Sequence, residues 1–177
     1  MIRLEIPNIK YKETYIKAVK EFQSLGSRDT MTGRYFEKSP EDMDRSFDTI
    51  ISEEIVGSYT QAKKEGITVE QFWIINDDDE YCGTITLRHE LNDRLSQRGG
   101  NIGYIVVPSK RGKGYAAIAL RLCLGEAKKI GLNKVLLTCD DTNIASIKTI
   151  EKNEGILQDK IKQDDGVITR RYWVEFK

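Results

Sequence analysis

The stretch Val106-Val107-Pro108-Ser109-Lys110-Arg111-Gly112-Lys113-Gly114-Tyr115-Ala116 joins an apolar run to a helical pattern through a short basic glycine loop. Such a junction suits a phosphate. The first N–H groups of a helix have no partner inside it, and the helix dipole favours an anion there. Glycine lets the backbone approach a ligand closely. Lys110, Arg111 and Lys113 add positive charge. The same residues also suit an ordinary strand-to-helix turn carrying a few cations, and local chemistry leaves both readings open. Neither GxxxxGK[ST] nor GxGxxG is present, which excludes a P-loop and a dinucleotide fingerprint.

Working outward, Ile102–Val107 reads as the strand before the loop, and Tyr115–Lys129 as the helix after it, closed near Gly131. Lys134–Cys139 is a further strand. Asn143–Lys152 is a short helix with an asparagine at its start, a favoured cap. Ile156–Gln163 and Val167–Phe176 form a hairpin around Asp164-Asp165-Gly166. Upstream, Arg3–Ile6 alternates as a strand and Lys12–Leu25 carries apolar residues at helical spacing. Ser39-Pro40-Glu41-Asp42 reads as a helix start, with Met43, Phe47, Ile50 and Ile51 as its buried face, and Ile55–Thr68 as helix plus loop. Phe72–Ile75 and Tyr81–Leu87 form a hairpin about Asn76-Asp77-Asp78-Asp79-Glu80. This acidic run is a solvated turn, since no further ligands follow at calcium-loop spacing. Leu91–Gly100 is a polar connection ending in Gly-Gly.

The expected architecture is one mixed α/β (α+β) domain over residues 1–177. The two strand–helix units near the end suggest a locally parallel centre, and the hairpins suggest antiparallel flanks.

Composition narrows the function. Lys+Arg and Asp+Glu both number 28, so the formal net charge is zero. A general nucleic-acid binder would show a basic excess. The apolar runs are too short to cross a bilayer, and no signal peptide is expected at the start. Cys82, Cys123 and Cys139 are odd in number and widely spaced, and read as reduced core residues of a cytoplasmic protein. With one histidine and no CxxC, no metal site is expected.

Arg111-x-x-Gly114-x-Ala116 resembles the [QR]-x-x-G-x-[GA] acetyl-CoA loop of the GNAT superfamily of N-acetyltransferases. Asn143-Ile144-Ala145-Ser146, followed by Ile150-Glu151-Lys152 and Gly155, resembles the family's second cofactor helix. The likeness covers roughly Tyr81 to Tyr172, and the first 70 residues only by element order. Segments such as LRHELND, GGNIGY and RRYW look like a predicted-acetyltransferase subfamily of bacterial origin.

The resemblance implies a mixed central sheet of about six or seven strands with about four flanking helices. Its two central parallel strands, here Ile102–Val107 and Lys134–Cys139, splay apart to admit acetyl-CoA. Pantetheine would meet the backbone of Ile105, Val106 and Val107. The pyrophosphate would rest on the N–H groups from Gly112 to Ala117, including Lys113, Gly114, Tyr115 and Ala116, with Arg111 adding charge. Asn143 and Ser146 would also touch the cofactor. The reaction would be direct attack of a small-molecule or peptide amine on the thioester. Many relatives place a tyrosine acid where this chain has Ile150, so Tyr104 and Tyr115 come into view as donors. His89 is a candidate base, its rival being a solvated loop histidine. Asn101 could orient a water. A non-catalytic CoA-binding domain of the same fold is the alternative reading. Homodimers are common among such proteins, although no interface signature stands out here.

Overall fold

Hydrophobic alternation along the strands sorts the chain into layers. A computed structural model describes residues 1–25, 42, 46–49, 51–52 and 66–176. Among them are strands β1 (Ile2–Glu5), β2 (Val69–Asn76), β3 (Tyr81–Arg88), β4 (Ile102–Val106), β5 (Lys134–Asp140), β6 (Ile156–Lys162) and β7 (Ile168–Glu175). The helices are α1 (Lys12–Ser24), α2 (Asp93–Gln97), α3 (Tyr115–Lys129) and α4 (Ile144–Lys152). The expected helix start at Ser39, with Met43 and Ile50, lies outside the described residues, as does most of the 55–68 region. Phe47 is buried and Ile51 half-buried, as expected of that helix's inner face.

The strands form two antiparallel sheets, β1-β2-β3-β4 and β5-β7-β6. The strands expected to splay, β4 and β5, are where the sheets meet, and they share no hydrogen-bonded ladder. Along β4 the side chains alternate. Ile102, Tyr104 and Val106 face α3, whose Ala119, Leu120 and Cys123 fill the main core. Ile105 and Val107 face the opposite layer, under α1. There Tyr15 stacks on Trp73 at 4.8 Å, and Tyr81 meets both rings edge-on. Each such pair adds about 0.5–1.5 kcal/mol beyond its burial.

The acidic hairpin run is organised by Asn76. Its Oδ1 accepts from the N–H groups of Asp78 and Glu80, at 3.1 and 2.8 Å. The surrounding carboxylates pair with protein cations: the N-terminus with Asp77, Arg3 with Asp79, and Lys110 with Glu80.

The polar connection before β4 contains α2, a helix missed in the sequence. Asn92 caps it, accepting from Leu95 N–H at 2.9 Å. Its single buried residue, Leu95, packs on Ile67 and Val69. One apolar residue in five leaves no helical period to read.

The two sheets are latched at one end. Asn101 N–H donates to Leu136 C=O at 2.8 Å, and Asn101 Oδ1 accepts from Leu136 N–H at 2.8 Å. Asn101 Nδ2 donates to Arg88 C=O on β3 at 3.0 Å. Gly100 lies close beneath, where a Cβ would meet Leu136 O at 2.4 Å. Arg171 extends the seam, with Asp159 on one side and Ser96 C=O, at 3.1 Å, on the other. Replacing Asn101 by alanine strands a buried N–H and a C=O. Urea denaturation of Asn101→Ala is expected to show a loss of about 2–4 kcal/mol. A loss below about 0.5 kcal/mol, the range of an ordinary surface change, would contradict the latch.

Candidate functional site

Beyond the latch the sheets part, and a cavity of about 680 Å³ lies between β4, the basic glycine loop and α4. Its first wall is Tyr104, Ile105 and Val106 of β4. The register of β4 on β3 decides what this wall offers. Arg88 N–H donates to Asn101 C=O at one end, and Val107 N–H to Cys82 C=O at the other. Between them Gly103 lies opposite Thr86, and Ile105 opposite Thr84. Antiparallel pairs alternate, so residues 101, 103, 105 and 107 turn their backbone groups toward β3. Residues 102, 104 and 106 turn theirs outward. The N–H and C=O of Ile105 and Val107 thus face β3 and their side chains lie under α1, while Ile105 still lines the cavity. The open edge belongs to Tyr104 and Val106. Arg111 reaches back to it, with Nε donating to Val106 C=O at 3.0 Å.

The second wall is the loop and the start of α3: Lys110, Arg111, Gly112, Gly114, Tyr115, Ala116 and Ala117. Gly112 and Gly114 have φ of +75° and +78°, a region that side chains disfavour. A Cβ at either would find no atom within 4 Å. Conformation, rather than crowding inside the protein, calls for glycine. Gly114 is the N-cap of α3, the first turn holds no acid, and Gly114, Tyr115, Ala116 and Ala117 line the cavity.

Two carboxylates clamp the base of this loop. Glu21 on α1 accepts from the N–H and hydroxyl of Ser109. Glu80 pairs with Lys110, and that contact holds the Glu80 carboxyl below its ordinary range. Lys110 therefore anchors the loop, Arg111 faces β4, and Lys113 lies outside the cavity lining.

The third wall is α4, through Asn143, Ala145, Ser146, Lys148, Thr149 and Lys152. Asn143 caps the helix, accepting from Ser146 N–H at 3.0 Å. Ser146, Thr149, Lys148 and Lys152 follow at helical spacing. The last three were missed in the sequence, although counting three, four and seven residues on from Ala145 finds them. Ile150 is 1% exposed and belongs to the core. Gly155 permits this, since a Cβ there would lie 2.3 Å from Ile150 Cγ2.

Two singled-out polar residues stand apart from the cavity. Asn101 is 4% exposed, and its side-chain oxygen and nitrogen are both engaged in the latch. His89 sits past the end of β3, with its Nε2 3.3 Å from Glu70 Oε1. It has the same parity as Leu87, which faces α3. That alternation was visible in the sequence. The three cysteines are buried and free, and burial pushes Cys82 and Cys139 up to about 11 and Cys123 up to about 12. Among the described residues no helix is long and apolar enough to cross a membrane.

Residues 13–155 match the family described as the acetyltransferase (GNAT) domain. No curated protein matches the chain by sequence. Solved structures share the fold. The ribosomal L7/L12 alpha-N-protein acetyltransferase in complex with coenzyme A is 14% identical, at TM-score 0.65, covering 99% of this chain and 94% of its own. The microcin C7 self-immunity acetyltransferase, in complex with acetyl-CoA and AMP, is 15% identical at TM-score 0.65, covering 99% and 92%. A spermidine N-acetyltransferase chimera of Vibrio cholerae and hSSAT is 14% identical at TM-score 0.61, covering 98% and 95%.

The glycine geometry gives a direct comparison. In a calorimetric titration with coenzyme A, Gly114→Val is expected to weaken binding about tenfold or more, because φ above zero is strained for a β-branched residue. Lys113→Ala is expected to weaken it by about threefold or less, as for an exposed charge. Equal losses would contradict a backbone cradle.

Proposed function

The chain belongs to the GNAT acetyltransferase family, and on that footing we propose that it transfers acetyl from acetyl-CoA to an amine of a small molecule or peptide. The observation that carries this reading is the continuity of one cavity. It joins the open backbone edge of β4 to the N-terminus of α3 and the capped start of α4.

The residues fit the parts of acetyl-CoA. The outward N–H and C=O groups of Tyr104 and Val106 suit the amides of an extended pantetheine arm. The N–H groups from Gly112 to Ala117 suit a pyrophosphate. Lys148 and Lys152 are one turn apart on α4 and line the same cavity, so they add charge opposite Arg111. Asn143 and Ser146 line the same cavity and suit contact with that arm. The bound thioester supplies the acyl group and the thiolate leaving group.

The chain's own contribution is positioning and polarisation. The cavity walls align the donor so that an amine can reach the carbonyl carbon. The attacking amine must be neutral, and its proton leaves to solvent or to a base. Donors on the open edge of β4 can polarise the carbonyl. Two of the similar structures bear amine-acetylating names, one for a protein α-amine and one for spermidine, which supports the choice of an amine acceptor. Free, buried thiols are in keeping with a reducing cytoplasm.

Binding and turnover are tested separately. At about 100 times its Kd, acetyl-CoA is expected to raise the melting temperature by about 5 °C or more. Lys148→Ala with Lys152→Ala is expected to reduce that shift and its dependence on salt. Thiol release is then expected with at least one member of a panel of polyamines, amino acids and peptide N-termini. A thermal shift with no thiol release across the panel would favour a CoA-binding domain. No shift at all would overturn the reading.

A further inference from the structure

Glu21 and Glu80 stand beside a loop that the cleft reading assigns to an anion, a placement that simple charge repulsion disfavours. Glu80 is matched by Lys110. The place of Glu21 follows from the turn it touches. The loop begins as one 3-10 turn, Pro108–Lys110, in which Lys110 N–H donates to Val107 C=O at 2.8 Å and Arg111 N–H to Pro108 C=O at 3.1 Å. The first donors of such a turn have no partner within it. Pro108 carries no N–H, and Val107, at the cap position, has no side-chain acceptor. The N–H of Ser109 is left over. Glu21 accepts it from 88 residues away, and its other oxygen accepts the Ser109 hydroxyl at 2.7 Å. Glu21 thus supplies the cap that the turn's own sequence lacks.

Glu21 is itself held in place. Helix α1 buries Tyr15, Ile16, Val19 and Phe22 in the layer that receives Ile105 and Val107, on the face of the sheet opposite α3. Neither Glu21 nor Ser109 lines the cavity, whereas Lys110, Arg111, Gly112 and Gly114 do. The two glycines lose the most freedom when the loop is set. Their setting therefore depends on its two ends, which are α3 on one side and the capped turn on the other.

We propose that Glu21 is a positioning residue for coenzyme A, acting from the far face of the sheet by capping the turn that carries the cofactor loop. The proposal rests on the acetyl-CoA reading of the cleft. Without the cap the turn visits other conformers, and the apparent affinity falls with the fraction that remains competent to bind. Capping and charge give opposite signs. If Glu21 acted only as a nearby anion, its removal would tighten coenzyme A binding, and salt would erase the effect. As a cap, its removal weakens binding at any salt. An uncharged residue that still accepts the Ser109 N–H restores it.

The test needs no knowledge of the acceptor. Coenzyme A is titrated by calorimetry against the full chain and against Glu21→Ala, Glu21→Gln, Ser109→Ala and the double alanine variant. Salt is set at about 0.05 M and about 0.5 M, between which the screening length changes about threefold. Glu21→Ala is expected to bind about five- to tenfold more weakly at both salt concentrations. Glu21→Gln is expected to stay within about twofold of the wild type, and Ser109→Ala to lose about two- to threefold. The double variant should match Glu21→Ala within about twofold, since the two residues share one contact. Ligand-free melting temperatures are expected within about 4 °C of the wild type, because Ser109 is exposed. Unchanged or tighter binding by Glu21→Ala overturns the proposal, as does a loss in Glu21→Gln equal to that in Glu21→Ala. A lowered melting temperature with unchanged affinity shows a structural role alone and also overturns it. If Glu21→Ala does not fold, Ser109→Ala decides, and wild-type affinity there overturns the proposal. Failure of the wild type to bind coenzyme A overturns the acetyl-CoA reading, and the proposal with it.

Discussion

The cleft opens beyond a buried asparagine that ties the two sheets together at one end. Asn101 satisfies the backbone of Leu136 on β5 and the carbonyl of Arg88 on β3. Past it, β4 and β5 have no ladder between them, so the outward edge of β4 is left for another extended chain. Buried polar groups are costly when unpaired, so this latch specifies where the sheets join and where they must part. Gly99 and Gly100 belong to the same device. Gly99 N–H donates to Thr138 Oγ1 at 2.8 Å, and only a residue without a Cβ lets Gly100 pass Leu136 O.

The second constraint is the clamped loop. Glu21 and Glu80, from two different elements, fix Ser109 and Lys110. The glycines that follow line the cavity. Much of the loop's positive charge is thus structural, and the proposed anion site would rest on backbone donors and on the helix terminus. The cations that line the far wall come from α4 instead.

Local signals were legible in the sequence. Tyr115–Lys129 was read to the residue, because Gly114 opens it and Gly131 follows its end. Asn143 was recognisable as a cap because its partner, Ser146, is three residues away. The family likeness rested on these same local motifs. What stayed hidden depends on distant partners. Asn101 was read as a residue able to orient a water, yet its partner Leu136 is 35 residues downstream. The open edge of β4 belongs to Tyr104 and Val106 rather than to Ile105 and Val107 because of the pairing with β3. No property of the β4 sequence states that register. His89 drew attention as the lone histidine, while the alternation from Leu87 already placed it with Glu70 on the α3 side.

Amide hydrogen exchange with and without acetyl-CoA tests the central claim, that the parted end of the sheets is a cofactor cradle. Protection is expected at Tyr104 and Val106, across Gly112–Ala117 and at the start of α4, with Asn101 and Leu136 unchanged. Protection confined to other surfaces, or none at saturating acetyl-CoA, would contradict it.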